Sequence, residues 1–154
     1  MSLSEGAKAP DFTMPATGGR TVSLKELKGK PFVLYFYPKA DTPGCTKEAC
    51  AFQDQLPDFA KLDITVIGVS KDSLKALEKF AEKYHLAFPL ASDPDATVIN
   101  AYGAWQEKSM YGRQYMGIER STVLVDSKGK VAKHWPKVKV AGHAGDVLQA
   151  VQAL

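Results

Sequence analysis

The only two thiols in 154 residues are Cys45 and Cys50, five positions apart in P-K-A-D-T-P-G-C-T-K-E-A-C, Pro38 to Cys50. A thiol attacks as thiolate, so the first question is what holds either one in that form. Thr42 followed by Pro43 reads as a helix start: a hydroxyl to cap the first turn, then proline at the first helical position. Gly44 and Cys45 then fall second and third. Backbone N–H groups there lack intrahelical partners, and the helix end carries partial positive charge. This position favours a nucleophilic thiolate at Cys45; the competing reading is a small buried hydrophobe.

At about 100° per residue, Ala49, Phe52, Leu56 and Phe59 fall within roughly 40° of Cys45, which therefore opens an apolar stripe facing the core. Pro57 is expected to break or kink the helix before the last of these. Cys50 lies about 140° away, on a flank. Five helical residues separate the two Cα atoms by roughly 8–9 Å, beyond the ~7 Å that a disulfide tolerates. If the pair bonds, the first turns must unwind, and reduced and oxidised chains differ in shape.

Elements on either side must hold this helix. Phe32 to Tyr37 (F-V-L-Y-F-Y), Ile64 to Val69 and Thr122 to Val125 are continuous apolar, β-favouring runs, as expected of strands covered on both faces. Thr42 to Gln55, Ser73 to Tyr84, Asp95 to Tyr102 and His143 to Leu154 read as helices. Asp126 to Lys130 reads as a turn joining Thr122–Val125 to Val131–His134, and the first 30 residues as loops punctuated by short strand-like pieces. The pattern predicts an α/β fold with a mixed central sheet flanked by helices, and leaves strand order open.

A length of 154 residues suits one domain, 1–154. With 45% hydrophobic and 24% charged residues, the composition excludes a disordered or collagen-like chain, and two cysteines exclude a disulfide scaffold. The net charge is +3. Its one local excess, five lysines between Lys128 and Lys139, reads as a solvated face rather than a nucleic-acid footprint. No apolar stretch is long enough for a signal peptide or a membrane span, so the expectation is a soluble, cytoplasmic protein.

P-x-x-x-T-P-x-C, carried by Pro38, Thr42, Pro43 and Cys45, resembles the active-site signature of the peroxiredoxins. G-C-T-K-E-A-C is similar to the bacterioferritin comigratory protein (Q-type) subfamily. So are A-P-D-F (Ala9 to Phe12), S-D-P (Ser92 to Pro94), R-S-T-V-L-V-D (Arg120 to Asp126) and W-P-K-V-K-V-A-G-H (Trp135 to His143). The resemblance implies a thioredoxin-like fold and thiol-dependent reduction of hydrogen peroxide or organic hydroperoxides, with no cofactor and no metal. By position it makes Cys45 the peroxidatic nucleophile and Cys50 the resolving thiol. Thr42 is to bond the thiolate or the incoming peroxide, and Arg120 is the distal cation. Pro38, Pro43 and Gly44 shape the substrate pocket. Thioredoxin or a similar dithiol is the implied reductant, and an intramolecular resolving cysteine needs no dimer, so a monomer is expected.

Other readings compete. A zinc site needs about four ligands, and His85, His134 and His143 are scattered, the last two expected on the surface and at a helix start. A dithiol oxidoreductase would be expected to carry Cys-x-x-Cys. A redox-sensing or holdase-type binding module could use the same disulfide as a signal. Glu48 is open between orienting Arg120 and decorating the helix surface.

Overall fold

The computed structural model describes residues 3–154. In chain order these form β1 (Thr13–Ala16), β2 (Arg20–Ser23), β3 (Phe32–Phe36), α1 (Pro43–Asp54), α2 (Leu56–Lys61), β4 (Thr65–Ser70), α3 (Leu74–Tyr84), β5 (Leu90–Ser92), α4 (Thr97–Ala101), β6 (Trp105–Met110), β7 (Arg113–Ile118), β8 (Ser121–Val125), β9 (Val131–Trp135) and α5 (His143–Gln152).

Seven strands make one mixed sheet in the order β2-β1-β5-β4-β3-β8-β9. β3 pairs parallel with β4, and β4 with β5, while β8 runs antiparallel to β3 on its other side. Every residue of β3 is buried because both faces are covered. Phe32, Leu34 and Phe36 point into a core shared with Phe12, Ile99 and Tyr102. Val33, Tyr35 and Tyr37 point into a second core with Cys45, Phe52, Phe59, Phe80 and Val147. Strand period two thus splits one apolar run between two layers.

The expected break in the cysteine helix falls where Pro57 enters: α1 stops at Asp54, and α2 restarts with proline in its first turn. Phe59 still reaches the core from the new helix, while Leu56 is half-buried. Phe52 is the main anchor of α1. It is fully buried and stacks on Tyr35 at 4.7 Å between ring centroids. Burying such a side chain contributes about 2–3 kcal/mol.

Two features depart from the sequence reading. β6 and β7 form a separate two-stranded hairpin, turning at Tyr111 and Gly112, both at positive φ (52° and 77°). Most of its residues are exposed, so neither strand carries the apolar alternation that marks a half-buried strand. His143, expected at a helix start or on the surface, does begin α5 but is buried at 5% exposure. Its Nε2 lies 2.7 Å from Thr122 Oγ1, and its ring stands edge-on to Phe52 and Trp135.

Candidate active site

The carboxyl end of β3 feeds residues 37–42 directly into α1, and the loop between them is pinned. Ala40 N–H donates to Asp72 Oδ2 at 2.8 Å, and Ser70 Oγ donates to the same oxygen at 2.7 Å. Asp41 takes a left-handed backbone, which Asp tolerates better than most residues. Its carboxylate accepts from Lys83 Nζ at 2.9 Å and Tyr84 Oη at 2.8 Å, tying the loop to α3.

Cys45 occupies the third position of α1, 2% exposed, with Ala49 and Phe52 on the same buried face. Arg120, two residues past β7, reaches it from the start of β8, whose Ser121 pairs with Phe36 of β3: Nη2 donates to Cys45 Sγ at 3.3 Å and Nη1 donates to Glu48 Oε1 at 2.6 Å. The planar guanidinium is therefore held at two of its nitrogens, with further N–H groups uncommitted. Gly44 makes room for it, since a Cβ there would stand 3.2 Å from Arg120 Nη2. Glu48 is thus no surface residue; it is 2% exposed and orients Arg120. Its phase, one turn from Cys45 on the buried side, was the available sequence signal.

Thr42 corrects one expectation. It holds the N-cap backbone position, but its hydroxyl makes no cap; Oγ1 donates to Lys39 C=O at 2.8 Å instead. The first α1 N–H engaged within the helix is that of Thr46, on Thr42 C=O at 2.9 Å. Pro43 has no N–H, so the donors of Gly44 and Cys45 stay open beside the thiol. Thr42, its proton committed, presents lone pairs. Pro38 and Pro43 lie exposed on either side of the loop.

The two thiols have different surroundings. Both are free; Cys45 is buried and Cys50 partly exposed on the helix flank. Burial, with a contribution from the Asp54 carboxylate, pushes the Cys50 thiol up and keeps it protonated. Burial also pushes Glu48 up to about 7 from an ordinary 4.5, against the pull of Arg120. For Arg120, burial opposes the charge but is outweighed by Glu48 and Cys45, which hold it above its ordinary value. Behind the site, burial raises Tyr35 and Tyr37, leaving two neutral phenols. Their hydroxyls and Glu48 Oε2 are buried without a hydrogen-bond partner among the described residues. Tyr35 fits because its strand neighbour is Gly68: a Cβ there would sit 2.8 Å from the phenol oxygen. Pattern reading of the sequence found neither tyrosine, since apolar β-runs carry Tyr as readily as Phe.

Residues 6–134 match the AhpC/TSA family. The putative peroxiredoxin bcp of Coxiella burnetii is 51% identical over 148 residues, covering 96% of this chain and 98% of that protein. The peroxiredoxin Bcp of Bacillus subtilis is 47% identical over 152 residues, covering 99% and 97%. Among solved structures, the Xanthomonas campestris bacterioferritin comigratory protein, trapped in intermediate and ligand complexes that bear on its alkyl peroxide reduction, superposes with a TM-score of 0.90 at 44% identity, covering 98% of this chain and 96% of that one. A cysteine-to-serine mutant of Xylella fastidiosa PrxQ gives a TM-score of 0.93 at 36% identity, covering 99% and 98%. The mixed sheet and flanking helices are thus the thioredoxin-like fold of these proteins, and the chain belongs to the AhpC/TSA family as a peroxiredoxin of the bacterioferritin comigratory (Q-type) kind.

Proposed function

We propose that the chain is a thiol peroxidase that reduces hydrogen peroxide and organic hydroperoxides at Cys45. The observation that carries this is the Arg120 Nη2 contact to Cys45 Sγ at the uncapped start of α1. In the reaction the Cys45 thiolate attacks the terminal oxygen of R–O–OH. The S–O bond forms, the O–O bond breaks, and Cys45 becomes the sulfenic acid while RO⁻ leaves and takes a proton. Negative charge moves from sulfur to the departing oxygen, so donors must serve both ends. Arg120 does so by its fork, and the open N–H groups of Gly44 and Cys45 lie in the same first turn of α1 as the thiol. The Thr42 lone pairs accept the peroxide O–H and turn the substrate end-on. Pro38, Pro43 and Gly44 shape the entrance.

Cys50 then resolves the intermediate: its thiol condenses with the sulfenic acid, a disulfide forms and water leaves. An external dithiol, thioredoxin or a similar protein, exchanges with this disulfide and restores both thiols. Both thiols of the cycle lie within residues 1–154, which we read as one domain. Closing the Cys45–Cys50 disulfide needs no second copy of this chain, so the reading is a monomer, placed in the cytoplasm and using no cofactor. No helix among the described residues is long and apolar enough to cross a membrane.

The test is peroxide consumption with excess dithiol, paired with intact mass after one equivalent of peroxide. The wild type turns over and loses two hydrogens; Cys45→Ser does neither, and Cys50→Ser takes up one oxygen without closing the disulfide. Sustained consumption by Cys45→Ser would defeat the proposal.

A further inference from the structure

The β6–β7 hairpin carries an apolar surface that the fold does not use. Register places Lys108 opposite Tyr115 and Met110 opposite Arg113, so these four share one face. The backbone between them is shaped to lay side chains flat: at Gly117 a Cβ would stand 3.3 Å from the Tyr115 ring and 3.2 Å from the Lys108 stem. Yet Met110 is 55% exposed, Tyr115 43% and Tyr111, at the tip, 98%. Tyr111 is also the wrong residue for its backbone. At φ 52°, before Gly112 at 77°, the turn favours Asn or Gly, and a bulky side chain there is an outlier. Neither the strain nor the exposure benefits the folded chain, which points to a use outside it.

The position of the hairpin says what that use is. Its root leads within two residues to Arg120, the residue on Cys45 Sγ. Six residues per strand carry the tip roughly 17–20 Å outward. A peroxide or a small dithiol has no need of such reach; a protein does. The one partner that the cycle demands at this end of the sheet is a protein dithiol attacking the Cys45–Cys50 disulfide. The charges of the hairpin and its root add selectivity. Lys108 and Arg113 share the apolar face, and Lys71, just past β4, sits 4.8 Å over the Trp105 ring at the root, against Glu107 on the hairpin and Glu119 just past it.

We infer that the Met110–Tyr111–Arg113–Tyr115 surface docks the protein dithiol reductant, taking a partner whose reactive cysteines are ringed by apolar groups and an acidic rim. This rests on the peroxidase reading, and the experiment separates the two. Tyr111→Asn/Tyr115→Thr removes the aromatic anchors while suiting the turn and the strand better than the wild type. Arg113→Glu keeps the aromatics and reverses the charge. Turnover of hydrogen peroxide is measured with thioredoxin over a concentration range and, separately, with dithiothreitol, alongside sedimentation of each protein. The expected result for both variants is a KM for thioredoxin raised about tenfold, as loss of aromatic or Arg anchors does at protein interfaces, with dithiothreitol turnover unchanged. An unchanged KM overturns the inference, and so does an equal loss with both reductants. A wild-type dimer that the double variant dissolves would assign the surface to a second copy and overturn it as well. Wild-type turnover with dithiothreitol but not thioredoxin would remove the partner, and absence of both would remove the peroxidase reading itself.

Discussion

Replacing Lys47 by glycine should speed formation of the Cys45–Cys50 disulfide by roughly three- to fivefold without changing the rate at which Cys45 meets peroxide. The two Cα atoms sit roughly 8–9 Å apart while α1 is intact, so resolution waits on local unwinding of residues 43–50. That segment buries only Cys45, Glu48 and Ala49, and the next inward residue is the anchor Phe52. Lys47 is exposed and makes no ion pair among the described residues. Its replacement therefore acts through helix propensity alone. Glycine in place of lysine costs a helix about 0.7–1 kcal/mol, which multiplies the open population by roughly three to five.

Quenched-flow mass spectrometry reads both steps, because the sulfenic acid adds one oxygen and the disulfide then removes it as water. The first phase depends on peroxide concentration and should be unchanged, since the closed form still dominates. The second phase is independent of peroxide and should accelerate by the stated factor, with quenched samples showing the disulfide by mass. Faster resolution also leaves less sulfenic acid exposed to a second peroxide, so less sulfinic acid accumulates. A second phase that did not move, with amide exchange showing the helix loosened, would refute the idea that α1 unwinding gates the disulfide.

Three further outcomes follow from the site. Gly44→Ala sets a Cβ 3.2 Å from Arg120 Nη2, and Glu48 on the other side leaves the guanidinium little room to yield. The peroxide-dependent phase should slow about tenfold, short of the 10²–10³ that loss of a whole donor costs. Glu48 titrates near 7 when buried and near 4.5 when α1 is open, so the closed helix holds more protons. Its advantage is full below pH 4.5 and is lost as pH rises through 7; resolution accelerates over that window, by up to roughly 3 kcal/mol. Glu48→Gln should flatten that profile in the second phase. Burial holds His143 down to about 4, so its contribution to the fold is full above its ordinary 6.5 and is lost as pH falls toward 4. Urea unfolding of the wild type should weaken across that range by roughly 3 kcal/mol, and less in His143→Gln.

How far the sequence discloses this site depends on the range of each interaction. The cysteine helix is local, so its start at Pro43, its buried phase and its break at Pro57 could all be read from neighbours in the chain. Arg120 is 75 residues from Cys45 and meets it through a strand order that periodicity does not specify. Only the family resemblance pointed to it. Glu48 had the right phase and Arg120 as a candidate partner, but its place on the helix suited an exposed surface equally well. Thr42 shows a subtler limit: an N-cap hydroxyl can turn inward to the helix or back to a preceding carbonyl, and residue type alone does not choose. His143 is buried because α5, β8 and α1 converge on it, and the β6–β7 hairpin left no apolar pattern because both its faces are largely wet.

In the proposed cycle the same side chains serve two opposed requirements. Attack on peroxide needs α1 closed, with Cys45, Arg120 and the open N–H groups in register. Resolution needs the first two turns undone. Glu48 links the two states. Its Oε1 fixes Arg120 at 2.6 Å, while its Oε2 is buried with no partner among the described residues, an unfavourable arrangement that opening of the helix relieves. A better-satisfied residue would hold the helix more firmly and slow resolution; a smaller one would free Arg120 and slow attack. Beyond the hinge, Phe52 stacks on Tyr35 over Gly68 and stays anchored, so opening stops before the core is lost. The division of α1 into a loosely held catalytic start and a firmly held end lets one helix meet both requirements.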